Sequence, residues 1–191
     1  DGVTNLKTVN DKAGDGPVKV EKPVIDLLSY SKDIYTLTEG KTNIAMGSVL
    51  SIWHDYRTEG IDDPVAAELP PMDKLHEAAK HTDINNLVID EENCTVTITD
   101  PQMKLDVGAI AKGYAVEMIA QRLESRGVTG YVFNVGGNVR AIGAKADGAP
   151  WTVGLENPMG EGEDYLPESV RMKYSLCFSP KMLFGSFARQ A

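Results

Sequence analysis

One uninterrupted helical stripe between Leu105 and Arg126, set among short β-branched runs, most limits what this 191-residue chain can become. Ala111, Ala115, Ile119 and Leu123 recur every four residues, Met118 joins them, and Gly127 follows as a C-terminal stop. Leu87–Ile89 and Thr95–Thr99 flank a polar turn as a hairpin. Tyr131–Asn134, Val139–Ile142 and Trp151–Leu155 read as strands broken by Gly136-Gly137 and Asp147-Gly148. Strand pairs alternating with one long helix predict an α+β fold, a mixed or antiparallel sheet with flanking helices.

Upstream, Asp1–Val20 is rich in Gly, Asn and Asp and reads as loop with at most one short strand. Ile25, Leu28 and Tyr35 fall on helical spacing between Pro23 and Thr38, with Gly40 as a stop. Thr42–Trp53 is apolar, but its periodicity does not choose between strand and helix. Glu59–Pro71, with Gly60 and three prolines, reads as loop, and Met72–His81 as helix.

Charge excludes some partners. Nineteen Lys and Arg against 28 Asp and Glu give a net charge of -9, which disfavours attraction to a phosphate backbone, so nucleic acid is not an expected partner. No apolar run approaches the roughly 18 residues of a membrane span. Cys94 and Cys177 lie far apart in no metal-binding spacing. His54, His76 and His81 show no metal-ligand spacing and are expected to be solvated; Ser48 and Ser51 lack a nucleophile-elbow context. Asp62-Asp63 and Glu161–Asp164 read as solubilising loop acids. Composition divides the chain into a core, 1–170, and an atypical tail, 171–191. The tail holds Arg171, Lys173, Lys181 and Arg189, no acid, and three of the four Phe.

The densest chemical constellation is Asp106-Val107-Gly108-Ala109-Ile110-Ala111-Lys112-Gly113-Tyr114. A glycine-containing turn entering a long helix presents free backbone N–H groups and a positive dipole end, which together suit an anion. Asp106 is an N-cap candidate, and Lys112, placed against the dipole, suggests a ligand phosphate. The plain alternative is a capping Asp and a solvated Lys. Gly136-Gly137-Asn138 is better read as a tight turn than as a ligand loop, since no third glycine and no helix follow.

The run LDVGAIAKGYAVEMIAQRLESRGVTGYVFNVGGNVRAIG, continuing to WTVGLENP, with GKTNIAMGSVLSIW upstream, resembles the core of the ApbE family, the FAD:protein FMN transferases, over about residues 18 to 158. That resemblance implies an α+β (T-fold-like) flavin transferase core around an extended FAD. The reaction it implies is Mg²⁺-assisted cleavage of the FAD pyrophosphate, with FMN passed to a Thr or Ser hydroxyl of an acceptor protein and AMP released. Position by position it implies FAD contacts at Lys41, Thr42, Asn43, Asp106 and Lys112, and a metal contact at Ala109, necessarily through its backbone carbonyl. Asn43 stands where many members have Asp, so its amide adds no charge.

The pattern also departs from the family. After Pro158 the expected SGxY-type turn, HxIxDPxTG-type strand and late metal-binding Asp and Thr do not follow, and the first strand and helix of the family are missing. The chain therefore reads as a truncated member, with an altered reading frame as one explanation beyond Leu166. A chain of this kind is expected to transfer FMN slowly; the alternative function is an FAD- or nucleotide-binding module without turnover. By resemblance the full-length parent lies outside the cytoplasmic membrane, membrane-anchored or periplasmic.

Overall fold

Asn5 starts the fold with a helix that the loop-like composition of the N-terminus conceals. In a computed structural model, which describes residues 4–153, 170–172 and 177–178, the Asn5 side chain accepts from the Thr8 amide at 3.2 Å and caps α1, Leu6–Asp11. Two apolar residues, Leu6 and the buried Val9, anchor this short helix, too few for any periodicity to register. The loop expectation for residues 1–20 is thus corrected, although the short strand it allowed is present as β1, Val18–Lys19.

The chain divides into two compact units, Asp1–Ala109 and Ile110–Ala191. In the first, β1 pairs antiparallel with β3, Thr95–Ile98, and β3 with β2, Leu87–Asp90, in the order β1-β3-β2. Register is set by facing pairs such as Leu87 with Ile98 and Ile89 with Val96. Leu87, Val96 and Ile98 are buried, and so are Ile25 and Leu28 of α2, Lys22–Leu37, which packs on β2. Burying these aliphatic side chains contributes about 1.5–3 kcal/mol each.

α2 ends in a paired hydrogen-bond motif: Gly40 N–H donates to Tyr35 O at 2.8 Å and Glu39 N–H to Thr36 O at 3.1 Å. Glu39 takes the left-handed position, at φ 52°, which turns the backbone into residues 41–46. The undecided Thr42–Trp53 segment opens α3, Gly47–Asp62, which packs against α4, Met72–Ala79. α3 therefore overruns the first residues of the expected 59–71 loop, with Gly60 inside the helix close to Ala67.

In the second unit, α5 spans Ala111–Glu124 and packs on the hairpin β4, Tyr131–Val135, and β5, Asn138–Ile142. Gly136 and Gly137, at φ 55° and 85°, make the two-residue turn of that hairpin, a conformation L side chains resist. The tight-turn reading accounts for them. β6, Trp151–Val153, pairs with β7, Val170–Met172, and β5 with β8, Cys177–Phe178. Leu155, Glu161–Asp164 and most of the basic tail fall outside the described residues.

The expected apolar stripe of α5 is off by one position. Val116 and Ala120 are the buried pair, while Ala115, Met118 and Ile119 are exposed. Val116 and Ala120 also lie four apart, so spacing alone could not select between the two faces. Tyr131 Oη reinforces the chosen face by donating to Ala120 O at 3.0 Å. Arg140 of β5 does the same from the strand: its guanidinium, 6% exposed, donates to both Glu117 oxygens, at 2.7 and 3.3 Å, with Glu124 at 3.8 Å.

Candidate functional site

In the first unit two segments far apart in sequence run side by side. Met46 and Lys104 form a parallel bridge, Asp106 N–H donates to Ile44 O at 2.8 Å, and Gly47 N–H to Lys104 O at 3.0 Å. The approach is close because residue 47 is glycine: a Cβ there would lie 2.5 Å from Lys104 O and 2.7 Å from its carbonyl carbon. Ser48 adds two bonds, donating to Gln102 O at 2.7 Å and accepting from Lys104 N–H at 3.1 Å. Ile44, which follows Asn43 in the chain, is thereby hydrogen-bonded to Asp106.

Each expected residue of this unit has a distinct setting. Asn43 is half-buried and ties its loop to the segment after α4: Oδ1 accepts from Ala45 N–H at 2.9 Å and Nδ2 donates to Thr82 O at 2.8 Å. Thr42 is held through its amide, which donates to Thr38 Oγ1 at 3.0 Å, and Lys41 is exposed at the turn leaving α2. Asp106 is half-buried and Ala109 exposed.

Asp106 does not cap α5. The helix begins five residues later than Asp106, and its N-cap, Ile110, makes no side-chain bond. Asp106 Oδ1 instead accepts from Gly108 N–H at 2.7 Å, closing a tight turn. Gly108 permits it, since a Cβ there would sit 3.0 Å from the same oxygen. The expected cap is corrected because a short acceptor two residues upstream of a glycine favours this local turn over reaching the helix.

In the second unit the α5 terminus keeps its donors. The first backbone bond of the helix is Tyr114 N–H to Ile110 O at 3.0 Å, so the amides of Ala111, Lys112 and Gly113 have no intrahelical acceptor. Lys112 is exposed beside them.

His81 corrects a further expectation. It is not solvated: Nδ1 meets Asp100 Oδ2 at 2.8 Å, and both side chains are 17% exposed. Burial pushes the Asp100 carboxyl up, but the hydrogen bonds from His81 and the Gln102 amide outweigh it and hold Asp100 below the usual range. The pair pins the Asp100–Met103 turn from which the Asp106 segment departs.

The described residues alone do not form an Mg²⁺ site. Among them no three His, Cys, Asp or Glu side chains gather, and Ala109 offers a single carbonyl where Mg²⁺ demands a near-octahedral oxygen set.

A model of the ApbE family matches residues 2–179. The chain belongs to the ApbE family. An FAD:protein FMN transferase of Klebsiella pneumoniae (strain 342) is 31% identical to this ApbE chain over 160 residues, 84% of this chain and 46% of that protein. A Treponema pallidum FAD:protein FMN transferase is 30% identical over 171 residues, 83% of this chain and 45% of that one. The crystal structure of an ApbE protein from Thermotoga maritima superposes with a TM-score of 0.73 at 27% identity, covering 91% of this chain and 53% of that one. Flavin transferase ApbE from Vibrio cholerae, at 22% identity and a TM-score of 0.71, shares the fold. The chain spans about half the length of these relatives. None of its described helices is long and apolar enough to cross a membrane.

Sequence reasoning missed Asn10, Gly47 and Ser48, which build the Asp106 segment. Each acts on a partner more than 50 residues away, a distance at which no local spacing carries a signal.

Proposed function

We propose that the ApbE protein to which this chain belongs is an FAD:protein FMN transferase. An acceptor Thr or Ser oxygen attacks the FMN phosphorus of FAD, the pyrophosphate P–O bond breaks, the hydroxyl proton is lost, and AMP departs with the bridging oxygen. Such a transfer depends on positioning and on neutralising phosphate charge. The observation that carries the reading is the Asp106 amide bonded to Ile44 O, which sets two segments of the family motif side by side in one unit.

In this reading Asp106 accepts from the flavin nucleotide, and Thr42 and Lys41 line the neighbouring segment. Asn43 contributes by holding that segment in shape. Lys112 donates to a phosphate oxygen together with the free amides at the start of α5. Mg²⁺ would supply charge neutralisation at the pyrophosphate. Among the described residues this reading gives the metal one ligand atom, Ala109 O. An acceptor protein and a location outside the cytoplasmic membrane belong to the same proposal.

The test is incubation of the purified chain with FAD and a Thr-containing acceptor, with and without Mg²⁺, following AMP by chromatography and acceptor mass. AMP and a flavinylated acceptor in equal amounts support transfer. Retention of FAD with no AMP under any condition replaces the reading with a binding module.

A further inference from the structure

Extended backbone directs successive residues' polar groups to opposite sides. In the Lys104–Asp106 segment, residues 104 and 106 face Ile44–Ser48, where Lys104 O accepts from Gly47, Lys104 N–H donates to Ser48 Oγ, and Asp106 N–H donates to Ile44 O. Leu105 faces the other way. Its side chain is buried at 4% exposure, and among the described residues no strand pairs with it to take its N–H and C=O. Left unpaired, both groups would carry a desolvation cost.

Asn10 takes them both. Its Nδ2 donates to Leu105 O at 2.9 Å and its Oδ1 accepts from Leu105 N–H at 2.8 Å. A side-chain amide can present an N–H donor and a carbonyl acceptor in one plane, as a peptide backbone does, so this residue stands in for a neighbouring strand. Its own position is fixed by Val9, 1% exposed, and by Gly14 N–H donating to Ile98 O at 2.8 Å just after α1. The next residue after Leu105 is Asp106.

We propose that Asn10 is a positioning residue for the flavin nucleotide site. Its amide clamps Leu105 from the side opposite Ile44–Ser48 and thereby fixes where the Asp106 backbone and carboxylate stand. It touches no ligand; it acts through Leu105. The inference rests on the reading of Asp106 as an FAD contact.

Two measurements on the purified chain test it: amide hydrogen exchange across residues 84–108, and FAD titration. Asn10→Ala is compared with Val96→Ala, which opens a cavity in the β-sheet core without touching the clamp. Asn10→Ala is expected to speed exchange at Leu105, Asp106 and Gly108 about ten-fold relative to β2 and β3, and to weaken FAD binding about ten-fold. Val96→Ala is expected to lower the melting temperature at least as much while leaving FAD affinity within two-fold. Should Asn10→Ala not fold, Asn10→Asp serves, since it keeps the acceptor for Leu105 N–H and sets an oxygen against Leu105 O. Unchanged exchange at 105–108, an affinity loss no greater than that of Val96→Ala, or unfolding of both Asn10 variants would each overturn the proposal. If the unaltered chain has no affinity for FAD, the reading of Asp106 fails and the positioning role with it, while the exchange data still report whether the clamp exists.

Discussion

The Asp106 amide donates to the Ile44 carbonyl at 2.8 Å, joining residues 62 positions apart into one local surface. Most of what is special in this unit serves that bond. Gly47 permits the approach, Ser48 fills the gap beyond it, and the His81–Asp100 pair holds the turn upstream.

Gly47→Ala is the sharpest probe of the approach. A methyl 2.5 Å from Lys104 O cannot be accommodated by rotating a side chain, because the obstacle is backbone. The expected cost is about 1–3 kcal/mol of stability, read by urea denaturation, with loosened protection at Lys104 and Asp106. A neutral substitution would mean that the two segments do not lie this close.

Asp100→Asn tests the buried pair by its pH dependence. The folded-state pKa of Asp100 is depressed, so its contribution is present above the unfolded value of about 3.9 and fades as pH falls through the lower folded value. The stability gap between the parent chain and Asp100→Asn should therefore be constant from about pH 5 to 6 and shrink below about pH 4. A gap that persists unchanged in acid would remove the carboxylate from the account.

Much of the fold can be read from sequence where apolar periodicity is strong, as in α2 or the β2–β3 hairpin with its alternating buried Val96 and Ile98. It is lost where two apolar residues do the work, as Leu6 and Val9 do for α1, or where two faces of a helix carry equal spacing, as Ala115–Ile119 and Val116–Ala120 do on α5. The site divides similarly. Asp106 and Lys112 stand out through the glycine-containing turn, whereas Asn10 and Ser48 become visible only once a partner more than 50 residues distant is in place.

Glu117→Ala leaves the nearly buried Arg140 guanidinium without its paired acceptor. Glu117 is itself 35% exposed, which places the expected loss between the surface and buried cases, about 1–2 kcal/mol by denaturation. Glu124→Ala, which removes the 3.8 Å partner, should cost below about 0.5 kcal/mol. Equal effects would contradict the bidentate geometry.

Asp106→Ala separates the turn from the cap. Since Asp106 bonds Gly108 N–H and not the helix, its removal should cost about 0.5–1.5 kcal/mol without fraying α5. Faster exchange confined to Gly108 is the expected pattern, checked by amide exchange; fraying across residues 111–114 would restore the capping role.

The central claim is that this chain binds a flavin nucleotide and that Asp106 and Lys112 each contribute to that binding, and FAD titration of the purified chain tests it most directly. Lys112 is exposed, so Lys112→Ala should keep the melting temperature of the parent while weakening FAD more than about ten-fold. Asp106→Ala should weaken FAD as well. A parent chain that does not bind FAD, or binds it equally well after both substitutions, would contradict the claim.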